Sequence, residues 1–307
     1  MSTVLFIGDV NVDIVMGGLK TFPVMDREIT CESFDITMGS SAVFTACAYA
    51  LLGGQSAFLG LAGQDDYGTF MLQGMQQFGV DTHLVRLTDA VKTGVTLNLI
   101  YQDSRTQITY PGTIAELQKA HIDPAVLQQV DHVHFSGIYQ QQKLKPALTE
   151  LLHMARQQQT TVSLDPQWDE TEHWEGMADW LPLLSYLFIN TAEAQSLTNT
   201  PRVEDAWNAL AVRTPCPLIK AGRQGCLVPG ASGMTWVPAF NVDIVDTIGA
   251  GDAFAAGFLF GIKEQGMTIP EAARFGNAAG ARNCTSVGGI HPGLTYQSTM
   301  QFLETQP

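Results

Sequence analysis

The 307-residue chain is poor in basic charge: 16 Lys and Arg stand against 30 Asp and Glu, a formal net charge of −14. Nucleic acid and anionic membrane surfaces both select a basic footprint, so neither is expected as a partner. Cysteine is sparse as well. Cys31, Cys47, Cys216, Cys226 and Cys284 are odd in number and scattered, with no Cys-x-x-Cys pair. That pattern argues against a disulfide framework or zinc site and for small buried apolar side chains. No uninterrupted apolar run approaches the ~20 residues of a membrane span, and no basic leader precedes Val4–Ile7. A soluble, cytoplasmic protein is expected. Three nucleotide motifs are missing too. There is no Gly-x-Gly-x-x-Gly after the first strand, no Gly-x-x-x-x-Gly-Lys-[Ser/Thr], and no protein-kinase signature. These absences exclude a dinucleotide fold, a P-loop enzyme and a protein kinase.

What is present supports a full core, since 45% of residues are hydrophobic. Strand and helix patterns alternate. Val4–Ile7, Ala57–Leu61, His132–Phe135, Thr161–Leu164, Tyr186–Ile189 and Pro217–Lys220 read as strands. Ser41–Leu52, Thr69–Phe78, Pro146–Gln157 and a segment from Ala192 read as helices. This alternation predicts an α/β fold with a mostly parallel central sheet and helices on both faces. Two segments break the rhythm: Glu28–Met38 and Thr93–Tyr110 read as antiparallel strands, the second turning near Gln102-Asp103-Ser104-Arg105. They predict a small sheet outgrowth, whose apolar face needs a cover. The chain is thus expected to be one domain, 1–307, with a discontinuous β outgrowth at about 13–38 and 93–112.

The densest chemistry lies at Asp246-Thr247-Ile248-Gly249-Ala250-Gly251-Asp252. The pattern predicts a strand through Val242, Ile244 and Val245, a glycine-broken turn, and an apolar helix. The unpaired N–H groups at such a helix start favour a phosphate. Asp252 is either an N-cap or an acid placed for chemistry on a bound anion. As a base it should have a depressed pKa, because the helix terminus favours its anion. At the other end of the chain, Gly8-Asp9-Val10-Asn11-Val12-Asp13 follows the first strand, where ligands meet open α/β sheets. Asn11 and Asp13 there suit either an Asx turn or hydroxyl binding. His132, His134 and His291 have no metal or triad spacing and read as structural.

The Asp246–Asp252 stretch resembles the Asp-Thr-x-Gly-Ala-Gly-Asp signature of the ribokinase-like (PfkB) carbohydrate kinases, and further motifs follow the family order along the whole chain. The resemblance implies an ATP-dependent kinase acting on a primary hydroxyl of a sugar or polyol. Gly249, Ala250 and Gly251 would form the anion hole and Asp252 would accept the hydroxyl proton. Asn11 and Asp13 would bind the sugar, and Gly39 would hinge a β lid. The outgrowth would be that lid, and lids of this kind often pair in dimers.

Two positions depart from the family pattern, with Ser40 in place of a second glycine and Phe44 in place of a sugar-binding Asn. Phe44 packs against a sugar face or a base, or is core. Asn190 and Glu193 resemble the family's Asn-x-x-Glu, implying that they organise Mg²⁺ through water. Alone, they read as a capped helix start. Lys220, Gly222, Gly225, Thr247 and Asn277 would border the nucleotide, with Arg223 able to pair with a phosphate. Asp246, Ile248 and Gly288 would surround a monovalent cation, K⁺. Two alternatives stay open: a nucleoside kinase with Phe44 stacking on the base, and a non-catalytic sugar sensor.

Overall fold

Val4, Leu5, Phe6 and Ile7 are all fully buried, the mark of a strand covered on both faces. A computed structural model describes residues 2–102, 104–231 and 233–305. In it this strand lies inside an eight-stranded sheet. The order across the sheet is Gly233–Val237, Cys226–Gly230, Pro217–Lys220, Tyr186–Asn190, Thr161–Asp165, His132–Ser136, Thr3–Ile7 and Gln55–Leu59. Pairing is parallel from Pro217–Lys220 to Gln55–Leu59 and antiparallel at the other edge.

Alternation along the strands sends Val4 and Phe6 to one face, with helices Ser41–Leu51, Ala250–Lys263 and Ile269–Asn283. Leu5 and Ile7 go to the other, with helices Leu148–Gln157 and Val203–Ala211. Small residues let Ala250–Lys263 and Ile269–Asn283 cross closely. A Cβ added at Gly257 would come within 2.9 Å of the Ala279 Cβ and 3.0 Å of the Gly276 Cα. Cys47, Cys216, Cys226 and Cys284 are buried as expected, whereas Cys31 is half-buried. His132 and His134 are buried in the sheet, their rings bonded to Thr161 and Ser163. Burial drives both below the usual imidazole range, His134 to about 4, so both are neutral core residues.

Several boundaries moved. Only Gln55–Leu59 joins the main sheet, while Leu61–Gly63 pairs with Arg86–Thr88. The helix expected from Thr69 starts at Asp66, because Asp65 accepts the Gly68 N–H at 2.8 Å and caps it there. The expected strand through Val242, Ile244 and Val245 does not form. Ile244 and Val245 are 39% and 59% exposed, and the Val245 and Asp246 N–H groups bond the Cys284 carbonyl instead of a strand.

The outgrowth is a four-stranded sheet in the order Ser33–Met38, Asn11–Leu19, Gly94–Tyr101, Ser104–Tyr110. Strand structure begins at Ser33, not Glu28, and Asn11–Leu19 supplies a further strand, starting two residues before the expected outgrowth boundary at about 13. Asp103, in the expected turn, lies outside the described residues. The sheet is not wholly antiparallel: Asn11–Leu19 and Gly94–Tyr101 run parallel. The chain between them passes through the main sheet and returns, and such a crossover leaves neighbouring strands parallel. Register sorts the side chains. Asp13 stands opposite Thr96, Thr96 opposite Thr109, and Asn98 opposite Gln107, which makes one face polar. Ile14, Ile36, Leu97 and Ile108 occupy the other.

Candidate active site

The carboxyl ends of the central strands and the polar face of the small sheet enclose a cleft of about 800 Å³. Its walls include Asn11, Asp13, Ser40 and Phe44 on one side and Asn190, Glu193, Lys220, Gly222, Gly225 and Asn277 on the other. Thr247, Ile248, Gly249, Ala250, Gly251 and Asp252 lie between. Gly39, Asp246 and Gly288 of the expected set do not line it.

Gly249 is the N-cap of helix Ala250–Lys263, in a left-handed conformation at φ 72°. A Cβ there would come within 2.0 Å of the Gly289 carbonyl oxygen, so both conformation and space require glycine. No side chain caps this helix among the described residues, and its first turn opens on the cleft. Asp252 is therefore not the N-cap. It sits in the first turn, 8% exposed, its Oδ1 accepting the hydroxyl proton of Ser41. Burial pushes it up to about 7; the Lys220 cation opposes this, and Asp165 and Asp9 add to it. The depressed pKa expected from the helix terminus is thus overturned. Desolvation of a full charge outweighs the terminus's partial one.

Lys220 stands at the end of its strand with its side chain 15% exposed and its Nζ 2.5 Å from the Oδ2 of the buried Asp165. A Cβ built on Gly251 would lie 3.3 Å from that Nζ, so the ammonium stands beside the helix start. Its burial favours the neutral amine, but Asp165, Glu193 and Asp252 outweigh that and hold it charged. Glu193 is raised, chiefly by burial and then by Asp165. Asn190 and Glu193 form a reciprocal capping box, each side chain accepting the other's N–H at 2.9 Å. The capping reading holds, and both residues also face the cleft. No cluster of three or more Asp, Glu, His or Cys side chains suited to a metal occurs among the described residues. One buried carboxylate facing a phosphate-sized space fits Mg²⁺ held through water and ligand oxygens rather than in a protein cage.

Around the expected monovalent site, Asp246 accepts the Ile248 and Gly288 N–H groups at 3.0 and 3.2 Å. The Asn283 amide donates to the Ile248 and Gly289 carbonyls at 3.0 and 3.1 Å. These bonds tie the two loops together, and each carbonyl keeps a second lone pair for a cation. Gly225, at φ 102°, packs its Cα against the Val237 carbonyl, where a Cβ would come within 2.0 Å. Asn277 donates to the Val237 and Pro238 carbonyls at 3.0 Å, so its amide fixes the cleft wall. Arg223 is exposed at the cleft margin.

On the small-sheet side, Asn11 donates to the Asp13 Oδ1 at 3.0 Å and lies 3.2 Å from the Thr96 hydroxyl. Gly39 is pressed against that pair: an added Cβ would come within 2.6 Å of the Asn11 Nδ2 and 2.7 Å of the Asp13 Oδ1. Burial raises Asp13 to about 6, and the nearby Asp9 adds to it. Asp9 itself is raised to about 6 by burial. Ser40, at φ 74°, caps helix Ser41–Leu51 and lies 3.1 Å from the Asp9 Oδ1. Phe44 is 5% exposed, its ring packed on Gly289. It is a core residue whose edge meets the cleft.

Sequence reasoning missed Asp9, Ser41, Asp165 and Gln167, all of which line or back the site. Their common signal is position. Asp9 and Asp165 stand at the carboxyl ends of parallel strands, where an open α/β sheet meets its ligand.

Comparison with known proteins gives the same picture. The family model described as "pfkB family carbohydrate kinase" matches residues 1–295. The chain is 30% identical over 286 residues to the ATP-dependent ribose-1-phosphate kinase of Halopiger xanaduensis, covering 92% of this chain and 91% of that one. It is 28% identical to the 2-dehydro-3-deoxygluconokinase of Bacillus subtilis, with 85% of each covered. The crystal structure of aminoimidazole riboside kinase from Salmonella enterica, complexed with aminoimidazole riboside and an ATP analog, superposes with a TM-score of 0.82 at 27% identity. The superposition covers 98% of this chain and 99% of that one. The uncapped glycine turn, the buried acid beside it and this full-length match converge: the chain belongs to the pfkB family of carbohydrate kinases and is an ATP-dependent sugar kinase.

Proposed function

We propose that the enzyme transfers the terminal phosphoryl group of ATP to a primary hydroxyl of a sugar, with Asp252 as the base. The observation that carries this is the junction itself. The Asp252 carboxyl lies at an uncapped helix start beside the half-buried Lys220 ammonium, between the polar face of the small sheet and a glycine-rich wall. Asp13 and Asn11 bind sugar hydroxyls, with Gly39 and Ser40 shaping the turn beneath them and Phe44 closing the floor. Amides of Gly249, Ala250 and Gly251 cradle the transferring phosphoryl, and Lys220 offsets its developing charge. Asn190, Gly222, Gly225, Thr247 and Asn277 border the nucleotide.

When bound, Mg²⁺ supplies charge neutralisation on the phosphates, and Glu193 holds it through water. Asp246, Ile248 and Gly288 frame a K⁺ site that orders the glycine turn. The small sheet, about 13–38 and 93–112 of a single kinase domain, is the lid. Its apolar face carries Phe34, Ile36, Ile108 and Tyr110 at 36–59% exposure, which supports a lid-to-lid homodimer. No helix among the described residues is long and apolar enough to cross a membrane.

A riboside substrate is the second reading, favoured by the likeness to the aminoimidazole riboside kinase. Its original basis, Phe44 stacking on a base, is weakened because the ring is committed to Gly289. The sensor reading gives way to the kinase assignment. ADP release with MgATP across ribose, fructose, ribose 1-phosphate, 2-dehydro-3-deoxygluconate and nucleosides tests the proposal. Turnover with a sugar that Asp252→Asn abolishes supports it, and unimpaired turnover in that variant removes Asp252 as the base.

A further inference from the structure

Beside the glycine turn runs a line of polar groups, with Asp165, Ser136 and Asp252 buried and Lys220, Gln167 and Ser41 half-buried at the cleft wall. It begins at Lys220, whose ammonium is paired with the Asp165 Oδ2. The other oxygen, Asp165 Oδ1, is 3.0 Å from the Gln167 Nε2, and the same Nε2 is 3.0 Å from the Ser41 Oγ. Ser136 donates its hydroxyl proton to the Ser41 Oγ at 3.0 Å. Ser41 then donates to the Asp252 Oδ1.

The order of these bonds fixes their direction. A carboxylate paired with an ammonium only accepts, so Asp165 forces the Gln167 amide to turn its NH₂ inward. That NH₂ fills one acceptor position of the Ser41 hydroxyl, and the Ser136 proton fills the other. The one group Ser41 has left is its own proton, and the neighbour awaiting it is Asp252. No member of the line can rotate without breaking the bonds of the next.

Local backbone supports the same reading. Gln167 has φ 60°, a left-handed conformation uncommon for a non-glycine residue, which Glu172 and Trp174 of the same loop share. Two residues on, the buried Asp169 accepts the Thr171 and Trp174 N–H groups at 3.0 and 2.7 Å and the Thr171 hydroxyl at 2.8 Å, which locks the loop.

We propose that Ser41 and Gln167 are positioning residues for phosphoryl transfer: through them the Lys220–Asp165 pair orients the Asp252 carboxylate, leaving Oδ2 to take the substrate proton. This rests on Asp252 being the base. The groups that face Asp252 are Lys220 from its strand, Asp165 from the next, Asp9 from the first, and Ser41 from the helix packed opposite.

The test compares Ser41→Ala, Ser41→Thr, Gln167→Met and Asp252→Asn, using MgATP and whichever of ribose, fructose or 2-dehydro-3-deoxygluconate turns over fastest. Losing a hydrogen bond to a buried carboxylate corresponds to roughly a ten- to hundredfold fall in kcat. Ser41→Ala is expected to show that fall with KM for both substrates within about twofold. Its acid limb in the pH–rate profile should move upward, because the anion has lost a donor. Ser41→Thr should recover most of the rate, and Gln167→Met should show a smaller fall of the same kind. Titration of the Asp252 carboxyl by ¹³C NMR, assigned from its loss in Asp252→Asn, reads the same upward shift without turnover.

Unchanged kcat in folded Ser41→Ala, a loss confined to KM, or an unmoved carboxyl titration would each overturn the proposal. If Asp252→Asn itself keeps full turnover, the base assignment fails first, and that outcome is distinct from failure of the relay alone.

Discussion

The two walls of the cleft are built on opposite plans. The wall at Gly249–Asp252 and Lys220 belongs to the main sheet and its helices; it presents backbone amides and buried charges held by other buried groups. The small-sheet wall is two-sided: Asp13, Thr96 and Asn98 face inward at half-buried to buried positions, while the strand Ser104–Tyr110 is exposed throughout. The first arrangement suits a transition state whose charge must meet preorganised dipoles. The second suits discrimination among hydroxylated substrates, because side chains on an exposed sheet can be exchanged at small cost to the fold. On the proposed mechanism, transfer chemistry falls to the deep wall and substrate choice to the shallow one.

The largest effect should fall on the deep wall. Asp252→Asn is expected to lower kcat by ~10²–10⁴-fold, the usual range for a lost general base, with the circular dichroism spectrum unchanged. A loss below tenfold would break the comparison. Next comes Lys220→Met. It leaves Asp165 buried without its cation, which costs ~3–5 kcal/mol on removal of one partner of a buried pair, read as a lower denaturation midpoint together with lost turnover. Third, the same base sets the pH response. With Asp252 at about 7, kcat/KM should climb with pH through that value and level off above it.

Stability runs the other way. A carboxyl raised in the fold binds its proton more tightly there than in the unfolded chain, so it favours the native state at low pH. That contribution is lost as pH rises through about 6 for Asp9 and Asp13 and about 7 for Asp252. Tm should thus fall between pH 5 and 8, and Asp252→Asn should be the more stable protein at pH 8 by roughly 2–5 °C.

On the shallow wall, Asp13→Asn is expected to raise KM for the sugar about tenfold while KM for ATP stays put. An equal change in both would show that the two walls are not separate in function. The smallest effect on turnover should come from Phe34→Glu and Ile108→Glu, on the outward face of the small sheet. Their readout is mass in solution by light scattering, with a dimer expected to fall to monomer. A monomer in the unmodified protein would remove the lid-to-lid pairing.

Where sequence and structure agree, a local rule was sufficient. Burial on both faces made Val4–Ile7 a central strand, and Asn190 with Glu193 three residues on was readable as a capped helix start. Gly249 marked the turn, since only a residue without Cβ fits against the Gly289 carbonyl, whereas Gly251 lies within the helix beside Lys220. Where they diverge, the deciding partner was far away in sequence. Val242, Ile244 and Val245 have strand composition but no strand to pair with, their loop being tied instead to Cys284. The parallel pairing inside the small sheet depended on a crossover through the main one. Phe44 read as a ligand contact or as core; packing on Gly289, distant in the chain, buries its ring while leaving an edge on the cleft.

Periodicity, capping residues and glycine turns act within a few residues, so the α/β architecture, the small sheet and the helix start that carries Asp252 are legible in the chain alone. Long-range packing, by contrast, sets the proton affinity of that acid. Asp9, Ser41, Asp165, Lys220 and Asp252 come from five separate segments, and only folding brings them into one buried volume. Desolvation grows with the whole surrounding packing rather than with nearest neighbours in sequence. A carboxylate predicted to be a weak base near a helix end thus becomes one poised near neutrality.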